Sequence, residues 1–279
     1  MKRLVLALGA ALVIAAAVPG LASATEVQVG NTTTALAAPT CPQQATVQQT
    51  EAGCEIVLTK TTAYETLSDG VANPDLITQP GVIDSFTLGI SGLVIQGANL
   101  STELSTLNTN YGGAPAVQLT VLRPVPSILG PRWAVAAQSA SMPLTPYLGG
   151  VVEFPLISPI PVVRGEMLAV TVPTWAPILT FGLSTTQFSY SQSHTQILTG
   201  TGTSQTSSCT TTSAPTLAQL TLGQQALYTC NFQGTRVEYS ALEITAPAPG
   251  AAVRRHHRRH AHAPGRRRRG HHRAHARQR

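Results

Sequence analysis

Aromatic side chains make up 5% of this 279-residue chain and charged ones 11%. Rings this sparse are expected in the core rather than on a broad stacking surface. No Gly-x-Ser-x-Gly elbow, phosphate-cradling glycine loop or dinucleotide fingerprint is present. Cysteines never occur at C-x-x-C spacing, which argues against a zinc site. Nucleophilic catalysis needs a base beside the nucleophile, usually His. Outside the C-terminal segment there is one, His194, within Ser191-Gln192-Ser193-His194-Thr195. It reads as a surface residue of a polar strand or loop. The chain is therefore read as non-enzymatic, with no catalytic residue and no cofactor.

The N-terminus is built for export. Lys2 and Arg3 precede an apolar run at 4–18, Pro19-Gly20 breaks it, and Ala22-Ser23-Ala24 fits a small-x-small cleavage pattern. Residues 1–24 read as a signal peptide, with the mature chain starting near Thr25. The run is shorter than the about 20 residues a membrane span needs. No later segment reads as a transmembrane span, so the expected location is secreted or surface-associated. Four cysteines in an exported chain imply two disulfides with three possible connectivities. Cys41–Cys54 and Cys209–Cys230 are the favoured pairs because each closes a short local loop.

Charge divides the rest of the chain in two. All 12 acids precede residue 244, against five cations there (Lys60, Arg123, Arg132, Arg164 and Arg236), a net charge of −7. Residues 253–279 carry eleven Arg and seven His, with no acid and no Lys. Arg254, Arg255, Arg258, Arg259, Arg266, Arg267, Arg268 and Arg269 are the candidate anion binders, because guanidinium pairs bidentately with phosphate or carboxylate. Anionic cell-envelope polymers are the expected partner, and nucleic acid would be held non-specifically and lost with salt. His256, His257, His260, His262, His271, His272 and His275 form a weaker candidate set for Zn²⁺, Ni²⁺ or Cu²⁺. Compositional drift in a disordered, GC-rich tail is the third reading of the segment.

Between lead-in and tail, the pattern is all-β. Short runs rich in Val, Ile, Thr and Tyr recur at 55–59, 81–88, 117–123, 133–139, 151–154, 166–172, 187–190, 226–230 and 236–244. In 236–244, Val237, Tyr239 and Ala241 share one face and Arg236, Glu238 and Ser240 the other, with a phase shift at Leu242 that marks a bulge. In 117–123, the inward set is Val117, Leu119 and Val121. Such alternation predicts half-buried antiparallel sheets. Frequent Pro denies long helices and confines its stretches to edges and turns. A helical turn or two is expected at 100–107. The predicted layout is a flexible lead-in at 25–40, a two-sheet β-sandwich or jelly-roll-like domain at 41–245, a Pro/Ala linker at 246–252 and a disordered tail at 253–279.

Several of these runs follow one another in a familiar order: Gly81-Val82-Ile83-Asp84-Ser85-Phe86, Leu119-Thr120-Val121-Leu122-Arg123-Pro124 and Ile160-Pro161-Val162-Val163-Arg164-Gly165-Glu166-Met167-Leu168-Ala169-Val170. The series resembles a loose group of secreted β-sandwich proteins of high-GC Gram-positive bacteria, over roughly residues 71–172. That group has no assigned activity, so the resemblance implies fold and export but no site. Glu166 stands where an Asp is usual.

Further candidates come from the residues themselves. Asp69, Asp75, Asp84, Glu103, Glu153 and Glu166 are the acids considered for a glycosidase-type pair. Residues 68–75 are oxygen-rich like a calcium loop, but they lack its spacing and read as a plain turn. Trp133, Trp175, Tyr111 and Tyr147 are the rings that would serve a sugar platform. Carbohydrate binding or cleavage by the body and metal binding by the tail thus stand as alternatives to a structural or binding protein. Oligomeric state is not encoded legibly.

Overall fold

Strand β9 (Met167–Ala176) buries both of its faces, and this decides the architecture. Leu168, Val170 and Val172 point to one side, Met167, Ala169 and Thr171 to the other, and all six are 2% exposed or less. A strand buried on both sides must lie in a sheet covered on both faces. The computed structural model describes residues 24–30, 33–40, 56–93, 99–195 and 216–245, which all fall in one unit, Ser23–Ala246. Linker, tail, Cys41, Cys54 and Cys209 lie outside the described residues.

The larger sheet runs β11 (Ser189–His194), β12 (Gln225–Gln233), β6 (Arg132–Gln138), β5 (Ala116–Pro124), β9, β2 (Leu58–Ser68). Strand β11 also pairs with β2, so six antiparallel strands close into a barrel. The expected pair of open sheets is corrected at this point. Register shifts at Thr59/Thr61, Val121/Leu122, Ser189/Tyr190 and Gln192/His194 supply the bends that closure requires. β3 (Val71–Ala72) adds to β2 through an Asp69-Gly70 turn with positive φ at both residues, and β7 (Met142–Pro143) adds to β5.

A second sheet, β1 (Thr25–Val29), β14 (Tyr239–Thr245), β4 (Gly81–Gly89), β8 (Val151–Val162), is antiparallel and open. The main core joins its Ile83, Phe86, Phe154 and Tyr239 to the outward residues Ala63, Leu119, Leu168 and Val170 of the barrel. β8 is an edge strand carrying Pro155, Pro159 and Pro161, where missing amides cost no ladder bond. The bulge expected at Leu242 is there, between Leu242 and Glu243. Residues 25–29, expected within a flexible lead-in, form β1, with Thr25 opposite Thr245 and the Thr245 hydroxyl donating to the Thr25 carbonyl at 3.0 Å. β10 (Leu179–Thr180) and β13 (Arg236–Val237) make a small third sheet.

The helix exceeds expectation. α1 (Leu100–Tyr111) starts at Asn99, whose side chain accepts from the Ser101 amide at 2.9 Å, and stops at Gly112 in the left-handed region. Its buried Leu107 packs on Trp175. Among the described residues, no helix is long and apolar enough to cross a membrane.

Inside the barrel, Tyr64, Leu122, Val135, Met167 and Tyr228 form a separate cluster, with Trp133 against the Tyr64 ring. One end is polar. Thr171 Oγ1 lies 2.9 Å from Thr62 Oγ1 and 2.7 Å from Thr120 Oγ1. Gln219 fills this end with every group satisfied. Its amide donates to Thr62 Oγ1 at 3.0 Å, and Nε2 donates to the Trp133 and Gln224 carbonyls at 3.2 and 2.7 Å. Its Oε1 accepts from the Tyr228 hydroxyl and its carbonyl from Gln138 Nε2.

Candidate functional site, a covered cluster of carboxyl groups

The polar face expected on 236–240 does not meet solvent. Arg236 is 1% exposed, Glu238 2% and Ser240 0%, as buried as the apolar residues alternating with them. The side chains of Arg236, Glu238 and Tyr239 meet two acids from elsewhere, Glu65 on β2 and Asp75 in the turn after β3, both fully buried. Three carboxyl groups thus share a buried site with one guanidinium.

Glu65 Oε1 accepts from the Val237 amide at 3.0 Å and lies 3.9 Å from Arg236 Nε. Asp75 Oδ2 accepts from the Glu65 amide at 2.7 Å and contacts the Tyr239 hydroxyl, which also lies 3.1 Å from the Leu168 carbonyl. Glu238 Oε1 accepts from Thr180 Oγ1 at 2.7 Å, and its Oε2 is 3.8 Å from Arg236 Nη1. Arg236 also stands over the Phe188 ring, 5.9 Å from its centroid. Glu65 Oε2, Asp75 Oδ1, Arg236 Nε and Arg236 Nη2 lack hydrogen-bond partners.

Burying ions costs several kcal/mol each unless they are well paired. Both ion-pair distances are long, so protonation takes up the imbalance. Burial, reinforced by the Asp75 carboxylate, pushes Glu65 well above the ordinary carboxyl range. Burial pushes Asp75 up to about 7. The Tyr239 hydroxyl donates to Asp75 Oδ2, which favours the ionised carboxyl but does not offset its burial. Burial with raised carboxyl pKa values also marks many acid–base sites, but here the groups are covered.

The cover is the segment after β1. The Gly30 amide donates to the Pro74 carbonyl at 3.1 Å, and a side chain at Gly30 would meet Asp75 Oδ1 at 2.6 Å. Ala35 offers its carbonyl to Arg236 Nη1 at 3.3 Å, and Ala37 donates its amide to Glu238 Oε2 at 3.2 Å. The Ala37 carbonyl lies so close to Gly89 that a Cβ there would stand 1.9 Å from it. Asp69 ties the segment down, accepting from the amides of Thr33 and Thr34 at 2.9 and 2.7 Å and from the Thr34 hydroxyl at 2.6 Å.

Of the six acids singled out in the sequence, only Asp75 joins this cluster. Asp69 holds the cover. Asp84 lies on β4 and Glu103 in the first turn of α1. Glu153 accepts from Ser85 Oγ at 2.5 Å. Glu166 is 3% exposed and closes the turn before β9, binding Arg123 at 2.7 Å and the Val163 amide at 2.9 Å. Residues 68–75 form the β2–β3 hairpin and the Asn73-Pro74-Asp75 turn. Glu65, Arg236 and Glu238 were missed. Their signal was a charged residue inside an otherwise strand-like run, which period-two reading assigns to solvent.

The four selected aromatics separate. Trp175 is fully buried, its Nε1 donating to Asn108 Oδ1 and the Gly113 carbonyl, and Tyr111 packs beside it. Trp133 belongs to the barrel cluster, and Tyr147 meets the edge of Phe154. The surface expectation for His194 is corrected: it is 1% exposed at the end of β11, with Nε2 3.1 Å from Thr229 Oγ1. Neighbouring Ser193 Oγ receives the Thr62 amide at 2.7 Å and donates to the Leu217 carbonyl at 2.6 Å. Cys230 is 2% exposed, and no described cysteine is a free thiol. The other three cysteines and all the named Arg and His of residues 253–279 lie outside the described residues. Among the described residues, no group of three or more His, Cys, Asp or Glu has metal-binding geometry. No family model, curated protein or solved structure matches this chain.

Proposed function

We propose that this is an exported, non-enzymatic β-protein of structural or binding type, held at the cell envelope by its cationic C-terminal segment. The observation that carries the reading is where the cations of the body are used. Arg236 is buried among Glu65 and Glu238, and Arg123 is engaged by Glu166. With the body at −7, the eleven Arg of residues 253–279 are the main cations offered to an anionic partner. Guanidinium groups on a Pro/Ala linker bind phosphate and carboxylate polymers without fixed register, an interaction weakened by salt.

Export rests on the leader at 1–24, whose cleavage after Ala24 leaves Thr25, the first residue of β1, as the new N-terminus. Cys209–Cys230 and Cys41–Cys54 are the pairings we propose, consistent with the buried, non-free Cys230. The test is a chain ending at Ala252, compared with the full chain for partition between envelope and medium. The truncated form is expected in the medium, and the full form is expected to leave the envelope in high salt. Envelope retention of the truncated form overturns the reading.

A further inference from the structure

We propose that residues 24–30 and 33–40 form a proton-controlled strap, seated while the carboxyl cluster beneath it holds its protons and released when it loses them. The strap is lightly held. β1 pairs with a single neighbour, β14, through five residues, and beyond it the strap is fixed by backbone contacts to Pro74, Asp69, Arg236 and Glu238. Among its described residues, Val29 and Pro39 are the buried apolar side chains, and Val29 joins the main core. Segments with so few buried apolar contacts open at lower free energy than the strands beneath them.

The strap contributes no charge of its own to the cluster, since Gly30, Ala35 and Ala37 meet it through backbone or Cα. The groups facing the cluster are Glu65 from β2, Asp75 from the turn after β3, Arg236 and Thr180 from β13 and β10, and Glu238 and Tyr239 at the start of β14. On β9, the Leu168 carbonyl faces Tyr239. Glu166, just before that strand, is engaged by Arg123. Fully ionised, the cluster holds three carboxylates against one guanidinium, with Glu65 Oε2 and Asp75 Oδ1 already unpartnered. Such charge cannot stay dry. Of the layers over it, β2 and β9 are laddered on both sides and β14 pairs along its length with β4, whereas the strap has β14 alone. Water therefore enters by lifting the strap. Two of its seats, the Ala35 carbonyl on Arg236 and the Ala37 amide on Glu238, are made to cluster members themselves.

Amide hydrogen exchange on the full mature chain between pH 5 and pH 9, corrected for intrinsic exchange chemistry, tests this. Protection of the Val27, Val29 and Ala37 amides is expected to fall at least tenfold from pH 6 to pH 9 while β4 and β9 keep theirs. In Asp75→Asn the strap is expected to stay protected through pH 9. Unchanged strap protection in the native chain, or an equal loss in Asp75→Asn, overturns the proposal. Gly89→Ala serves if Asp75→Asn does not fold, because it blocks the seat of Ala37. Its strap is expected to be unprotected at pH 6 with no further response to pH. A strap in Gly89→Ala that still loses protection between pH 6 and pH 9 also overturns it.

Discussion

Asp75 shows how far burial moves a single side chain. In the unfolded chain its carboxyl is ionised above pH 4. In the fold it keeps its proton to about 7. Between these values the folded state binds more protons than the unfolded one, so stability falls as pH rises through the window and levels off above it. The loss is on the order of 4 kcal/mol. Asp75→Asn keeps the shape without this titration, and denaturant unfolding is expected to show a smaller fall in midpoint from pH 5 to pH 8 than in the native chain, the remainder coming from Glu65. The native chain is expected to be clearly weaker at pH 8. Asp75 was named in the sequence because it is an Asp in a polar turn, but its partners were not. Glu65, Arg236 and Glu238 sit where alternation assigns a wet face, and alternation does not register a segment from far away laid over that face. For the same reason His194, in a polar run, is buried.

Strand identity was legible, but the number of buried faces was not. The runs at 81–88, 117–123 and 236–244 match β4, β5 and β13–β14 closely because one face of each is apolar. In β5 the opposite face carries Thr120 and Leu122, which read as polar or out of phase but fill the barrel. β1 escaped notice because its Thr-Glu-Val-Gln-Val pattern lies in a small, polar stretch and pairs with the last strand of the body. At the barrel's polar end, Gln219 is held by five hydrogen bonds from a segment with no strand signal. Gln219→Ala takes Oε1 from the Tyr228 hydroxyl and Nε2 from the Trp133 and Gln224 carbonyls, of which the Gln224 carbonyl keeps the Val135 amide. An unpaired buried polar group costs about 1–3 kcal/mol, so denaturant unfolding is expected to shift by about 1–2 kcal/mol with its m-value unchanged. Tail-mediated envelope retention is expected to survive this substitution.

For the whole molecule, the all-β class follows from the density of short runs and of proline. Closure does not, because it rests on β11 meeting β2, segments separated by more than a hundred residues, and periodicity within a strand says nothing about its partner. The partition of charge is the reverse case, plain in the sequence and independent of the fold. Thr25 and Thr245 stand opposite each other in the outer ladder, so the body's first and last strands finish at one corner. Ends so close are interchangeable with any exposed loop as the place where the polypeptide begins. A chain rejoined from Thr245 to Thr25 by about four residues, and cut between Ser127 and Ile128 where Ile128 is fully exposed, is expected to refold with a melting temperature within several degrees of the parent. Residues 128–245 would then be synthesised before residues 25–127, around a barrel that does not record where its chain was opened.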